Sequence, residues 1–412
     1  MSLHTFYNIV IALLEVILKI GSRFDLKLRQ GYVGRKQTFE RLAQHITVQD
    51  KVFWFHCASL GEYEQGLPVF EALKQKRPDH KVVLSFFSPS GYEIKQNAEI
   101  ADVVVYLPTD SKSNAKKFLD LVHPELIVFV KYEIWINYLF EIKNRHYKAI
   151  LISALFRDQQ IFFKWYGGLF RKALTAFHHI FVQNVNSQIL LENKGIQNTT
   201  VAGDTRFDRV LQNKATSKPV AHINEFINGK LCIVIGSSWP EDEIILSRYI
   251  NQTKHDVKFI FVPHNVNTSH INHIKNLLKV PTIVFSEADS DNCVEMKVMI
   301  VNKIGLLRNL YNFGDIAYVG GAMGKTGLHN ILEPAVFGIP IIIGKNFAKF
   351  PEAKAMIKNG GVISIDNYKS LAAELEDLIT NDIARRDKGQ KNANFVNLNS
   401  GVVSKIIGII EL

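Results

Sequence analysis

The sequence predicts an α/β protein with two doubly wound domains, each built on a parallel sheet. Three observations predict this. Short continuous Val/Ile/Leu/Phe runs recur along the 412 residues, as expected of strands buried on both faces. Helical patterns fill most of the gaps, which parallel pairing requires. The runs also fall into two sets divided by a polar stretch, Asn213 to Asn228, rich in Lys, Thr and Ser with Pro219. At about 100–200 residues per domain, two domains suit the length.

In the first set the predicted strands are Val52–Cys57, Lys81–Phe87, Val103–Leu107, Leu126–Val130, Ala149–Ser153, His179–Val182 and Thr200–Ala202. In the second they are Leu231–Ile235, Lys258–Val262, Thr282–Phe285, Val298–Val301, Ile316–Val319, Ile339–Ile343 and Val362–Ile365. Most are bounded by Gly, Pro, Asp or Ser. The expected layout is an apolar anchor and basic segment over 1–40, a first Rossmann-like domain over 41–212, and a linker over 213–228. A second such domain follows over 229–400, then a closing helix over 401–412.

Phe6 to Ile20 is strongly apolar but carries Glu15 and Lys19, and Arg23, Lys27, Arg29, Arg35 and Lys36 follow. A spanning helix wants about 20 apolar residues, so this stretch is short for one. It lacks the basic start and small-residue cleavage site of a signal peptide. An apolar helix followed by cations suits an anchor lying on an anionic leaflet; the alternative is a core helix with a solvated basic face. Lys and Arg exceed Asp and Glu by 49 to 39, a net charge of +10, which favours an anionic partner. Cys57, Cys232 and Cys293 are the three cysteines, with no CxxC pair, so a disulfide scaffold and a cysteine-rich zinc site are excluded. No HExxH, DxD or clustered His/Cys set occurs, and no metal or other cofactor is expected.

Ligands of open α/β sheets bind beyond the carboxyl ends of the strands, so residues just after each strand matter most. His56-Cys57-Ala58-Ser59-Leu60-Gly61-Glu62 ends the first strand, and a helix is expected from about Gln65 through Gln75. Glu62 then lies in the intervening loop, where it either serves as a general base or caps the helix. Glu133 follows Leu126–Val130 and is either a second functional carboxylate or a salt-bridged first-turn residue. Arg206, in Gly203 to Asp208, is a fixed cation or a structural ion pair. In the second half, Leu231–Ile235 leads into Gly236-Ser237-Ser238-Trp239-Pro240, and Lys258–Val262 ends in Pro263-His264-Asn265. Gly320 to Gly327 resembles a phosphate loop but fails the GxxxxGK[ST] spacing, because position 319 is Val. A turn presenting backbone N–H groups to an anion is expected there instead. Glu333 is expected in a helix, pointing back toward that turn, with an alternative reading as a lone helix carboxylate before Pro334. Phe162 to Lys172 mixes aromatics with cations and is expected either at a membrane or packed as an amphipathic helix.

Several motifs then agree. Gly34-Arg35, His56 to Glu62, Pro108-Thr109-Asp110, Glu133-Ile134-Trp135 with Asn137, Gly203 to Asp208, Val262-Pro263 and Gly327 to Ala335 resemble the 3-deoxy-D-manno-octulosonic acid (Kdo) transferases over nearly the whole chain. The resemblance implies a GT-B fold: two Rossmann-like domains facing a central cleft, the first binding acceptor and the second binding nucleotide. It implies transfer of Kdo from CMP-Kdo to the 6′-hydroxyl of the tetra-acylated lipid A precursor, at the cytoplasmic face of the inner membrane. It places the general base at Glu62 and transition-state stabilisers at Glu133 and Arg206. CMP contacts would fall at Pro263, His264, Ile304, Gly305, Leu306, Asn330, Ile331, Leu332 and Glu333.

The chain departs from the family pattern at three places. His264 stands where Arg is usual, Leu306 replaces an acidic residue, and Arg206 stands where Lys is common. Lys303 or Lys325 are the candidates for the missing cation. A metal-independent, inverting reaction is expected, since the donor leaves as a nucleoside monophosphate. Rival readings are a GT-B enzyme acting on another nucleotide sugar, such as a UDP-sugar transferase or epimerase, and a basic nucleic-acid-binding protein. The second is disfavoured, because the cations are spread along the chain and no nucleic-acid-binding signature occurs.

Overall fold

Every predicted run forms a strand in the computed structural model, which describes residues 2–410. The first unit, residues 1–209 with 400–412, holds β1 (Val52–Cys57), β2 (Lys81–Phe86), β3 (Val103–Tyr106), β4 (Leu126–Val130), β5 (Lys148–Ala154), β6 (His179–Val182) and β7 (Thr199–Val201). The second, residues 210–399, holds β8 (Cys232–Ser238), β9 (Lys258–Pro263), β10 (Thr282–Val284), β11 (Val298–Ile300), β12 (Ile316–Val319), β13 (Ile341–Gly344) and β14 (Val362–Ile365). Each set makes one seven-stranded sheet, ordered β3-β2-β1-β4-β5-β6-β7 in the first unit and β10-β11-β9-β8-β12-β13-β14 in the second. The recorded pairings are all parallel, for example Phe53 with Leu126 and Ala317 with Ile341.

The reason these runs carry no alternation is visible in β1. Phe53, Phe55 and Cys57 enter the core on one face of the first sheet, and Trp54 enters the core on the other. Successive side chains point to opposite faces, and both faces are covered by helices, so every position is apolar or satisfied. In each sheet the chain first builds outward to one side and then returns to build the other. The crevices where this reverses lie between β1 and β4, and between β8 and β12. Such switch points are where open α/β sheets bind ligands.

Four N-terminal helices frame the first unit: α1 (Leu3–Gly21), α2 (Leu26–Lys36), α3 (Thr38–His45) and α4 (Leu60–Lys76). By length and composition alone, α1 is long and apolar enough to cross a membrane. Arg35 on α2 is mostly buried and donates to the carbonyls of Gly31, Phe87 and Leu107. Burial lowers its pKa to about 10. Its neighbour Gly34 packs so tightly that a Cβ would lie 2.4 Å from the Tyr106 ring.

Two boundaries differ from expectation. The polar stretch 213–228 is folded into the second unit: the helix Arg206–Ala215 runs into it, and Val220, Ile223 and Phe226 are buried. Their spacing of three places them on one local face, which the polar composition around them conceals. The closing helix, Val402–Ile409, returns to the first unit, where Val402 and Ile406 join the core beside α4. Asp208 receives the N–H groups of Gly401 and Val402 at its start. Of the stretch expected to close the chain, residues 411 and 412 lie outside the described residues.

Candidate functional site

The carboxyl end of β1 passes through Ala58 and Ser59 directly into α4, whose N-cap is Ser59. Glu62 is therefore in the first helical turn, not in a loop ahead of the helix. Its Oε2 accepts the N–H of Ala58. A carboxylate at a helix N-terminus is ordinarily kept ionised, yet Glu62 is pushed up from 4.5 to about 7. Burial is the larger cause and the charge of Glu133 the second; the backbone N–H groups of Ala58 and Ser59 and the Lys131 cation oppose them. The result is a carboxyl group balanced between its two protonation states at neutral pH.

Glu133 follows β4 and is held by two aromatic residues. Its Oε2 lies 3.1 Å from His56 Nε2 and accepts the Trp135 indole N–H at 2.9 Å. His56, on β1, is fully buried, and its Nδ1 lies 2.8 Å from Ser85 Oγ, which also accepts the Trp54 indole N–H at 2.7 Å. Trp135 Nε1 also lies 3.0 Å from His56 Nε2, so the indole N–H is aimed at both His56 and Glu133. Glu133 is thus a fixed acceptor on the floor of the crevice, tied through His56 to β2.

The next strands add cations. Arg206 begins the helix Arg206–Ala215 and pairs with Asp204, its Nε at 2.8 Å and its Nη2 at 2.7 Å from Oδ2. Asp204 is itself buried and accepts Gln65 Nε2 from α4 at 2.7 Å. So Arg206 is indeed ion-paired, and the pair fixes the guanidinium while leaving its side chain 32% exposed. Tyr132 feels Arg157, Asp204, Glu62 and Arg206, and burial raises its hydroxyl pKa. Lys131 and Ser153, at the ends of β4 and β5, take left-handed backbone angles (φ 61° and 53°). Non-glycine residues rarely hold these without a local reason. Here they turn the two strand ends where Glu133 and Arg157 follow.

In the second unit the sequence-selected stretches rise from adjacent strands β11, β9, β8 and β12. Trp239 after β8 stacks on His264 after β9, with ring centroids 4.5 Å apart. Its indole N–H donates to His329 Nε2 at 3.0 Å. Burial, then the neighbouring His264, lower the His329 pKa to about 4, so this imidazole is neutral and its remaining proton sits on Nδ1. His264 is exposed, whereas Pro263, Ile331 and Leu332 are buried. Ile304 is exposed on the turn around Gly305 (φ 88°). Glu333 lies in the short helix Leu332–Ala335 and its Oε1 accepts Asn330 Nδ2 at 3.3 Å. It also lines a cleft of about 10 Å³ with Arg308 and Asn213.

The glycine-rich turn differs from expectation. Its backbone N–H groups do face an anion, but the anion is Asp242. This buried carboxylate accepts the N–H of Gly321 at 2.8 Å and of Trp239 at 3.0 Å, together with the Tyr318 hydroxyl at 2.7 Å. Gly321 (φ 94°) is required here, because a Cβ would sit 2.1 Å from the Gly327 carbonyl oxygen.

Sequence reasoning selected Glu62, Glu133 and Arg206 but assigned no role to His56, Trp135, Tyr132, Asp204, Trp239, His329 or Asp242. A polar His56 inside an otherwise apolar strand was the signal for the first. The mixed stretch Phe162 to Lys172 divides: Phe162 is buried, Phe170 packs on Tyr7, and Arg171 bonds the carbonyls of Phe162 and Lys164. Trp165 and Tyr166 remain exposed. Among the described residues no group of three or more His, Cys, Asp or Glu side chains is placed to hold a metal ion.

Two parallel-sheet units with these switch-point sites define a GT-B fold, and solved structures agree. Acinetobacter baumannii MurG matches with a TM-score of 0.55 at 9% identity, over 88% of this chain and 99% of that one. The UDP-GlcNAc 2-epimerase of Neisseria meningitidis, bound to UDP-GlcNAc, matches with a TM-score of 0.57 at 15% identity, over 87% and 100%. The sequence comparisons narrow the class. Residues 34–209 match the family model described as 3-deoxy-D-manno-octulosonic-acid transferase (kdotransferase). The 3-deoxy-D-manno-octulosonic acid transferase of Aquifex aeolicus is 28% identical over 79% of this chain and 86% of its own. That of Rickettsia bellii is 26% identical over 93% and 94%. Over these stretches the chain is similar to the Kdo transferases.

Proposed function

We propose that this protein transfers Kdo from CMP-Kdo to the 6′-hydroxyl of the tetra-acylated lipid A precursor, with Glu62 as the general base. The observation that carries the reading is Glu62 itself. It stands at the switch point of the first unit with a pKa near 7, set by burial and by Glu133. A base poised near the working pH is the most effective one.

In the step proposed, Glu62 takes the proton of the acceptor hydroxyl as that oxygen attacks the anomeric carbon of Kdo. The bond from that carbon to the phosphate oxygen breaks, CMP departs with the electron pair, and the configuration inverts. Arg206, held by Asp204, offers a fixed cation for developing negative charge, an effect that is strong where water is excluded. Glu133, held by His56 and Trp135, keeps Glu62 basic and faces the positive charge that develops on the sugar ring. CMP would be held by Pro263, His264, Ile304, Gly305, Leu306 and Asn330 to Glu333. The neutral His329, fixed by Trp239, stands beside the exposed ring of His264. The exposed apolar residues of α1 support a site of action at the cytoplasmic face of the inner membrane, where a lipid acceptor resides.

The test is transfer from CMP-Kdo to the tetra-acylated precursor, with wild type beside Glu62→Gln and with a chelator present. Product from wild type, a loss of about a hundredfold or more in the variant, and indifference to chelator are expected. A folded wild type that makes no product with CMP-Kdo but turns over a UDP-sugar would replace the reading with that of the epimerase-like neighbours.

A further inference from the structure

Beside the N-terminus of α1, the first unit carries a cationic groove lined by none of the residues assigned to the transfer reaction. A cavity of about 600 Å³ is lined by His4, Phe140, Lys143, Asn144, His146 and Lys172. A second, of about 410 Å³, shares Lys143 and His146 and adds Lys148 and His178. No carboxylate lines either one. The nearby acids are turned elsewhere: Glu141 and Asp120 both pair with Arg145. Lys143 donates to the Thr175 hydroxyl at 2.7 Å, and Lys172 lies over the Phe140 ring at 5.6 Å. Neither has an ion pair among the described residues. Lys143 and Lys172, set on the same cavity, repel one another, and an anion relieves that repulsion.

A second observation says what kind of anion. On α1, the polar positions turn inward onto the first unit. His4 Nε2 lies 2.8 Å from Asn137 Oδ1, Asn8 Oδ1 accepts Asn137 Nδ2 at 2.9 Å, Tyr7 donates to Asp110 at 2.6 Å, and Glu15 accepts the Thr109 hydroxyl. With buried Ile11 they form one stripe at helical spacing. The opposite face exposes Leu3, Phe6, Leu13, Val16, Ile17 and Ile20, each more than half accessible. Thus α1 lies along the unit rather than projecting from it, and its apolar side is outermost. The turn before Lys172 adds Trp165, 91% exposed, and Tyr7 on α1 meets Phe170 of that same segment at 6.3 Å. Apolar face, exposed indole and cationic groove therefore adjoin. A helix that sinks its apolar face just below the headgroups brings flanking cations level with lipid phosphates.

We propose that this groove seats the phosphate headgroups of anionic phospholipids while the outer face of α1 enters the same leaflet. The site contains none of Glu62, Glu133 and Arg206 and stands whether or not Kdo is the sugar transferred.

The test uses the full chain and sedimentation with vesicles that contain neither donor nor acceptor: phosphatidylcholine alone, or mixed with phosphatidylglycerol. The double variant K143Q/K172Q is compared with K354Q/K358Q, which removes the same charge from the exposed side of a helix in the second unit. Each cation at an anionic surface is worth about fivefold in partitioning. The groove variant is expected to bind phosphatidylglycerol vesicles about 25-fold more weakly than wild type. Its binding to phosphatidylcholine should be unchanged, and the control pair should lose much less. K143R/K172R should retain binding, which separates lost charge from lost folding. Inorganic phosphate at constant ionic strength should not displace wild type, since the headgroup is held together with the inserted helix. Equal losses in the groove and control pairs, failure of the arginine pair to bind, or displacement by free phosphate would each overturn the proposal.

Discussion

Replacing Glu62 by Gln should slow turnover about a hundredfold or more and, above neutral pH, make the protein more stable. The reasoning starts from the raised pKa. A carboxyl group that titrates at 4.5 when unfolded and at about 7 when folded favours the folded state in its protonated form. Its contribution is fully present below 4.5 and is lost as pH rises through 7. Each tenfold in acidity is worth about 1.4 kcal/mol, so the ionised carboxylate costs the native state about 3 kcal/mol at pH 8. Glutamine keeps the shape and an oxygen for the Ala58 N–H, but carries no charge at any pH. The variant should therefore match wild type near pH 4.5 and gain about 2–3 kcal/mol by pH 8. In a unit of this size that amounts to several degrees in Tm. Denaturant unfolding of both proteins at pH 5 and pH 8, read by far-UV circular dichroism, measures the difference directly. A variant no more stable than wild type at pH 8 would refute the idea that burial and Glu133 raise this pKa, and the assignment of Glu62 as a poised base would lose its support.

The same balance governs the rate. The acid limb of the wild-type kcat/KM profile should bend near pH 7, so activity at pH 6 should be about a tenth of the plateau. Glu133→Gln removes the second cause of the shift, and its limb should move to lower pH even as kcat falls; an unmoved limb would separate the two carboxylates. In the second unit, Asp242→Asn places an amide N–H₂ against the donors that Asp242 now accepts, from Gly321, Trp239 and Tyr318. Leaving such buried donors unmet costs about 1–3 kcal/mol each. CMP binding, measured by calorimetry, and the unfolding midpoint of the second unit should fall together, and tight CMP binding in a well-folded variant would contradict this.

The fold was legible because strands buried on both faces leave no polar positions to interrupt the apolar run. β8 runs on past the predicted Ile235 to Ser238, through an irregularity at Ser237 (φ 53°), a bend that Gly and Ser advertise as a loop. The start of α4 was placed too late for the opposite reason. Gly61 and Pro68 are poor helix formers, yet tertiary packing holds the helix from Leu60 through both. Strand ends pointed to Glu62, Glu133 and Arg206, but their electrostatics could not be read along the chain. His56 meets Ser85 and Glu133, 29 and 77 positions away, and Lys172 joins Lys143 from a different helix.

Which of the buried carboxylates does chemistry follows from how each is satisfied. Asp110 accepts the backbone N–H groups of Asn137 and Tyr138 and the hydroxyl of Tyr7. Asp242 accepts those of Gly321 and Trp239 and the hydroxyl of Tyr318. Both follow the same plan: two backbone donors from a turn or helix start, and a tyrosine that closes the set. Their lone pairs are committed, and a proton arriving from a substrate would break bonds that organise the fold. Glu62 differs. Among the described residues its partners are the backbone N–H groups of Ala58 and Ser59 alone, and burial first and the Glu133 charge second hold its pKa near 7. Burial raises the pKa of all three groups, so burial alone does not distinguish them; the neighbouring charge of Glu133 on Glu62 does, together with the lack of a tyrosine hydroxyl closing its set. A carboxylate that can gain or lose a proton without dismantling its surroundings is the one fitted to take a proton from a hydroxyl.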